Sequence, residues 1–383
     1  MGRWSDLKGT SGTKVIDLGE RLLMPGLVNA HCHLDYTLMA GQFPPPRLFT
    51  DWLKLIVTAK GLWDLPDYKK SWLAGAKMLV RTGTTTVADI EAIPKLLPDV
   101  WQGTPLRVIS FLEMIGITGR RKPDEILAEA LDHIRSLKTK NFVGLSPHAP
   151  YTAFPELLRL TAKTVLKKRW RASIHVAESE AEFEMFDRGE GEMHDWLKRG
   201  GRDMSDCGSC TPVEHLKRTG ILNQNLLAVH ANYLQPQDIE ILAARKVNVV
   251  HCPRSHSYFG HEPFQARRLM RAGVNICLGT DSLASVYQKR REPVLLDMFA
   301  EMRTFAQKHP EIAWRKIVEM ATLNGARALG LRGRAGELSK GSSVDVIAVP
   351  FSGAASQAYE AILHYQGDVD ASMIGGKWAL EPK

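Results

Sequence analysis

Pro25-Gly26-Leu27-Val28-Asn29-Ala30-His31-Cys32-His33 is the stretch that decides the fold. An apolar run leads straight into two histidines one residue apart. In extended backbone, positions i and i+2 project to the same face, so both imidazoles can reach one ion. A bare H-x-H recurs by chance; the Pro-Gly pair and the hydrophobic strand ahead of it give this one weight. If it is a metal site, other strands must bring further ligands to the same end.

Working outward, short β-branched runs that end in polar residues alternate with longer helical stretches. Eight strands are expected: Leu22 to Val28, Thr84 to Asp89, Arg107 to Glu113, Phe142 to Ser146, Ala172 to Val176, Leu226 to Val229, Val247 to Val250 and Val274 to Leu278. Between them lie helix-like segments such as Tyr68 to Arg81, Pro123 to Leu137, Pro155 to Lys168 and Gln237 to Ala244. Eight repeats of this alternation predict a closed parallel (β/α)8 TIM barrel of the α/β class. His31, His33, His148, His175, His230, His251 and Asp281 all follow the C-terminal ends of these strands, the active face of such a barrel. A single histidine is more often a satisfied core residue, but so many at one end of one repeating unit are not.

Beyond the barrel, Trp314 to Leu329 reads as a helix ending at Gly330 and Val344 to Val349 as a strand, with further strand-like pieces around Ile374 and Trp378. With Lys14 to Leu18 these are expected to form a small accessory β-sandwich from residues 1–22 and 335–383, leaving 23–334 as the barrel.

The motifs in this order resemble the amidohydrolase superfamily. Pro25 to His33 looks like its first-strand signature, His175-Val176-Ala177-Glu178-Ser179 its strand-5 motif, Ala228-Val229-His230-Ala231 its strand-6 histidine and Gly279-Thr280-Asp281-Ser282 its strand-8 aspartate. The resemblance implies that His31, His33, His175 and Asp281 bind one divalent metal. Three imidazoles and a carboxylate suit zinc, and iron or manganese are not excluded. Strand 4 ends in Ser146-Pro147-His148-Ala149-Pro150-Tyr151, with neither the lysine nor the glutamate that bridges two metals in resembling proteins, so a mononuclear site is expected. By the same resemblance Asp281 takes a proton from water acidified by the ion and His230 hydrogen-bonds the resulting nucleophile. Glu178 protonates the adjacent ring nitrogen, and His148 lines the substrate pocket.

The branch looks like the one that holds S-adenosylhomocysteine and methylthioadenosine deaminases, aminofutalosine deaminases, guanine deaminase and the triazine chlorohydrolases. It implies hydrolytic deamination of an amino-substituted heterocycle, with a chlorohydrolase or cyclic amide hydrolase as the alternative and a non-catalytic relative disfavoured by the complete ligand set. Trp52 resembles an aromatic that packs on substrate, although an aromatic at helical spacing is more often core. Two departures stand out. Adenosine-type members carry a ribose-binding glutamate where this chain has Gly61, with Asp64 the nearest acid. The strand-7 motif reads His251-Cys252-Pro253-Arg254-Ser255-His256 rather than C-P-x-S-N, which suggests that Arg254 and His256 meet an acidic or unusual substituent, compatible with an aminofutalosine-like ligand; both departures predict that adenosine and S-adenosylhomocysteine are poor substrates.

The 383 residues, 44% hydrophobic and 24% charged, suit a globular protein. The net charge of +8 is scattered among acids, which argues against nucleic acid as partner. Five cysteines, including the lone C-x-x-C of Cys207 and Cys210, fit a reduced compartment better than a disulfide framework. No run approaches the roughly 18 uncharged apolar residues of a membrane span, and the start lacks the apolar core of a signal peptide, so a cytoplasmic location is expected. A homodimer is compatible with this reading. Only 30 residues precede His31, a shorter lead-in than relatives commonly have, so the accessory layer is expected to be incomplete or the true start to lie upstream.

Overall fold

The computed structural model describes residues 15–137, 142–288 and 293–382. Eight parallel strands pair in chain order: β2 (Leu27–Cys32), β3 (Thr84–Glu91), β4 (Arg107–Met114), β5 (Phe142–Pro147), β6 (Ala172–Val176), β7 (Leu226–His230), β8 (Asn248–His251) and β9 (Asn275–Leu278). Helices cover the outer face, so residues on both faces of β2, β3 and β6 are buried. That double burial is why these strands read as near-continuous apolar runs. The ring closes between β9 and β2. The amides of Thr280 and Asp281 both donate to the His31 carbonyl, at 3.0 and 3.1 Å, and Cys32 pairs with Asp281.

The helices start and stop where elementary chemistry places them. Proline opens Pro123–Ser136, Pro155–Lys168, Pro212–Thr219, Pro236–Ala244 and Pro253–Phe259, where its missing N–H costs nothing. Asp64 caps Leu65–Arg81 through a reciprocal bond with Asp67, and that exposed acid is thereby spent on the helix.

A second, antiparallel sheet is built from β1 (Arg21–Pro25), β10 (Val346–Pro350), β11 (Ala371–Ile374) and β12 (Lys377–Leu380), in the order β1-β10-β11-β12. The accessory layer is therefore, among the described residues, one four-stranded sheet rather than two stacked ones. Arg107 on β4 pairs with Asp345 just before β10, and Arg81 with Asp368 at 2.8 Å, tying the sheet to the barrel.

Three expectations need correction. The run Leu22 to Val28 is two strands: β1 belongs to the small sheet, and the barrel begins at Leu27. Gly26 makes the crossing because a Cβ there would stand 2.2 Å from the Thr85 side chain. Val15 to Leu18 form no strand, and Lys14 lies outside the described residues. Trp314 to Leu329 divides into Trp314–Met320 and Leu323–Ala328, broken at Thr322, where the Ala321 carbonyl turns aside to accept the amide of Val28 on β2 at 2.9 Å. No described helix is long and apolar enough to cross a membrane.

Candidate active site

The C-terminal ends of the strands converge on a cluster of imidazoles. The His31 and His33 rings stand edge to face with centroids 4.9 Å apart, as alternate residues on one strand face require. His33 Nε2 lies 3.3 Å from His175 Nε2, and Asp281 Oδ1 lies 3.6 Å from His31 Nε2 and 3.7 Å from His33 Nε2. Among the described residues two triads bring their ligand atoms within 4.8 Å of one another: His31, His175 and His230, and His31, His33 and Asp281. All five side chains are buried.

This donor set fits a divalent ion. His31 Nδ1 and Nε2 and His33 Nδ1 are buried without a hydrogen-bond partner, each costing about 1–3 kcal/mol if nothing satisfies it. Nitrogen donors with one carboxylate oxygen match the preference of zinc and its neighbours. Burial, aided by neighbouring imidazoles, holds His33 and His230 well below the ordinary histidine value and His175 down at about 4, which favours the neutral imidazoles that a metal ion takes as ligands. His175 Nδ1 donates to the His148 carbonyl at 2.7 Å, which fixes its tautomer and turns Nε2 inward. Burial pushes the Asp281 carboxyl up, but contacts with His31, His230 and His33 outweigh it and hold the group well below the usual range. Its Oδ2 accepts from Ser255 Oγ at 2.6 Å and Ser285 Oγ at 2.9 Å.

Backbone strain gathers at the same strand ends. Ala177, His230, Ala231 and Asp281 all adopt positive φ, between 49° and 73°, a conformation rare outside glycine and typical of functional sites. Asn29 stitches β2 to the strand-8 turn, donating to Thr280 Oγ1 at 2.7 Å and accepting the Thr280 amide at 3.1 Å. Gly279 is required because a Cβ there would meet the His31 backbone at 2.8–3.0 Å.

Glu178 sits at the end of β6 with Oε1 3.4 Å from His230 Nε2. Burial raises its carboxyl well above the ordinary value, and the charges of Asp281 and Glu182 add to the effect. Glu182 is a residue the sequence reading missed. Its carboxylate accepts the amides of Ala177 at 3.0 Å and Glu178 at 2.8 Å, and Asn232 Nδ2 donates to the Glu178 carbonyl at 2.9 Å, so the turn carrying Glu178 is fixed on both sides.

One cavity joins these groups to a substrate-sized space. His33, His175, His230, Asp281 and Glu178 line its floor, and the expected contacts Trp52 and His148 line its walls. The Trp52 indole N–H donates to the Ala284 carbonyl at 3.2 Å, and His148 Nδ1 contacts Thr152 Oγ1 at 2.7 Å. Lys60, Glu113, Tyr151 and Trp196 also line the cavity and were missed.

Four expected residues lie elsewhere. Arg254 turns from the cavity, its guanidinium on the Leu295 carbonyl at 2.8 Å and paired with buried Glu301 at 3.4 Å. His256 Nε2 is engaged by the Glu262 carbonyl at 2.9 Å. His251, although at a strand end, stacks on Phe264 with centroids 3.9 Å apart. Gly61 only ends the helix Phe49–Lys60. Cys207 and Cys210 are free thiols.

The model of the Amidohydrolase family matches residues 22–379. A 5-methylthioadenosine/S-adenosylhomocysteine deaminase of Syntrophobacter fumaroxidans is 31% identical over 97% of this chain and 83% of its own. A 5'-deoxyadenosine deaminase of Methanothermobacter thermautotrophicus is 31% identical over 87% of this chain and 74% of its own. Among solved structures, an adenosine deaminase from Xanthomonas campestris with bound zinc superposes with a TM-score of 0.77 at 27% identity, covering 94% of this chain and 80% of that one. Helicobacter pylori aminofutalosine deaminase, at 20% identity, shares the fold with a TM-score of 0.85 over 98% and 91% of the two chains. The strand order, the convergent imidazoles and these matches lead to one conclusion: the chain belongs to the amidohydrolase family.

Proposed function

We propose that the protein is a metal-dependent hydrolase that removes ammonia from an adenosine-like amino heterocycle. The observation that carries this reading is a raised, buried carboxyl, Glu178, placed 3.4 Å from His230 on the floor of the cavity that holds the imidazole and aspartate cluster. A buried carboxyl held above its ordinary value favours the protonated form that a ring nitrogen needs as it gains electron density. The relatives named as deaminases of methylthioadenosine and 5'-deoxyadenosine support the same substrate class.

His31, His33, His175 and Asp281 would hold the ion, zinc being the metal bound in the Xanthomonas relative. A divalent ion in such a site lowers the pKa of water enough to supply a nucleophile near neutral pH. Asp281, kept anionic, accepts the proton of the attacking water, while Ser255 and Ser285 hold its second oxygen in place. His230, neutral and beside Glu178, hydrogen-bonds the incoming oxygen. Glu178 delivers its proton to the ring nitrogen next to the reacting carbon, so the added electron pair does not rest there as an unshielded anion; the proton held by Asp281 then passes to the amino group, the carbon–nitrogen bond breaks with its electron pair leaving on ammonia, and the new hydroxyl returns a proton to Glu178 as the carbonyl forms. Trp52 and His148 hold the heterocycle against the floor of the cavity.

The test combines metal analysis with ammonia release across adenosine, 5'-deoxyadenosine, methylthioadenosine, aminopurines, aminopyrimidines, pterins and triazines. Ammonia from an adenosine-type compound, in a protein holding about one zinc-like ion per chain, is the expected result. Chloride release from a chlorotriazine with no ammonia from the remainder would assign the alternative leaving group.

A further inference from the structure

The face of the barrel opposite the imidazole cluster holds a second pocket. It lies at the N-terminal ends of β6 to β9, and among the described residues its lining carries four cations, Arg171, Lys246, Arg327 and Arg332, and no carboxylate. Elsewhere the protein pairs its arginines with acids, as at Arg81, Arg107 and Arg254. Among the described residues none of these four is in an ion pair.

Hydrogen bonds tie the pocket together. Arg171 Nη1 donates to the Gln224 carbonyl at 2.9 Å and to Asn225 Oδ1 at 2.7 Å. Asn248 Nδ2 donates to the same Gln224 carbonyl at 3.1 Å, while Asn275 Nδ2 donates to Asn248 Oδ1 at 2.9 Å and to the Asn324 carbonyl at 3.1 Å. This ladder runs from the start of β6 to the helix Leu323–Ala328. The loop beyond that helix then returns to Arg171 at Gly330, whose φ is +76°. A Cβ there would stand 2.8 Å from Arg171 Nη2 and 3.0 Å from Nε, so only glycine leaves that edge of the guanidinium free of a side chain. Among the described residues neither Nε nor Nη2 has a hydrogen-bond partner. Arg171 is thus anchored through one nitrogen and keeps the paired donors that suit a phosphate or carboxylate. Burial lowers its guanidinium from the ordinary value, with no carboxylate close enough to offset the cost.

Helix ends account for part of this charge. Lys246 follows the helix Pro236–Ala244 and Arg327 lies in the last turn of Leu323–Ala328, where a cation complements about half a negative charge at each C-terminus. That offsets roughly one of the four positive charges and leaves about three. Arg171 opens a strand and Arg332 lies past the helix, so a helix end explains neither. Residues at this face of a barrel ordinarily serve stability, and gathered unpaired cations oppose it. Chloride or a single carboxylate would balance only a fraction of the excess. A multiply charged anion is what the pocket fits.

We propose that this pocket binds an oligophosphate, a diphosphate or triphosphate either free or carried on a nucleoside, at a site separate from the metal centre. Calorimetry on the full, metal-loaded chain with inorganic phosphate, pyrophosphate, tripolyphosphate and uridine 5'-triphosphate tests it. Tripolyphosphate should bind at least about tenfold more tightly than inorganic phosphate, and added salt should weaken it. Arg171→Met should weaken tripolyphosphate about 10- to 100-fold, the worth of charge-assisted hydrogen bonds. Arg332→Gln, which alters an exposed side chain without a hydrogen bond, should weaken it at least about threefold with the melting temperature unchanged. Uridine triphosphate binding more tightly than tripolyphosphate would assign the nucleotide as the source, and equal binding the free anion. Oligophosphates also chelate metals, so metal content is measured after each titration; binding at the metal centre would survive both substitutions. Unchanged affinity in both variants, inorganic phosphate binding as tightly as tripolyphosphate, no binding at all, or tighter binding of a single-stranded oligonucleotide would overturn the site.

Discussion

Replacing Glu178 by glutamine tests the central step of the proposed chemistry. The amide has nearly the volume of the acid, so the turn fixed by Glu182 and Asn232 should survive, and Glu178 is in neither triad able to hold an ion. What disappears is a transferable proton. General acids and bases contribute about 10²- to 10⁴-fold, or roughly 2.7–5.5 kcal/mol of barrier. The loss should lie toward the upper end, because Glu178 is the one group assigned the proton that the ring nitrogen needs. Stability should move the other way. A carboxyl raised above its unfolded value contributes stability that is complete below the unfolded pKa and is lost as pH rises through the folded one. The raised Glu178 is therefore a liability in alkaline solution, and Glu178→Gln should melt no lower than the unaltered protein at pH 8. The assay is kcat for ammonia release beside metal content and melting temperature. A variant that keeps its ion and more than about a tenth of the activity would show that the proton comes from another group, against the loss expected here.

Four further outcomes follow. His175→Ala should lose the ion, since it removes an inward Nε2 whose tautomer the His148 carbonyl fixes, and metal analysis of the purified variant checks this. Glu182→Ala should strand the amides of Ala177 and Glu178 at about 1–3 kcal/mol each and lower kcat while sparing metal content, as read by urea unfolding and turnover. Gly279→Ala should cost about 1–3 kcal/mol by forcing a methyl against the His31 backbone, and should weaken metal retention in a chelator challenge. Burial holds His256 down at about 4 and His261 at about 3, so their stability contribution is full above the unfolded value near 6.5 and falls away as pH drops from there toward 3. Replacing His261 by glutamine should flatten the fall in unfolding free energy across that window; an unchanged slope would place the acid sensitivity elsewhere.

The barrel was legible because its strands are buried on both faces and end in polar groups, which leaves eight apolar runs with a candidate ligand or pocket residue just beyond most of them. What composition hides is where one run changes partner. Leu22 to Val28 is unbroken as a sequence, and only the strand pairing, β1 with β10 and β2 with β3, shows that the chain crosses at Gly26 from the small sheet into the barrel. Glu182 was within reach: Ser179-x-x-Glu182 is a capping pattern, and Ser179 Oγ does accept the Glu182 amide at 3.2 Å. Its carboxylate, however, bonds back to Ala177 and Glu178, turning a helix cap into a support for the acid. Lys60 and Glu113, 53 positions apart, line one cavity because the end of the helix Phe49–Lys60 and the end of β4 both border it, and no local pattern encodes that.

The strand-7 motif shows the same limit from the other side. In Arg254-Ser255-His256 the two ionisable residues drew attention, since charge is what sequence displays. These residues lie in the first turns of the helix Pro253–Phe259, where each position is rotated about 100° from the last. Rotation, which spacing alone does not fix, sends Arg254 to Glu301 and His256 to the Glu262 carbonyl. It leaves the residue between them, Ser255, facing the site with its hydroxyl 2.6 Å from Asp281 Oδ2. The departure from the family pattern at Arg254 and His256 therefore changes the packing behind the barrel face, while the serine that steadies the proposed proton acceptor stays in place.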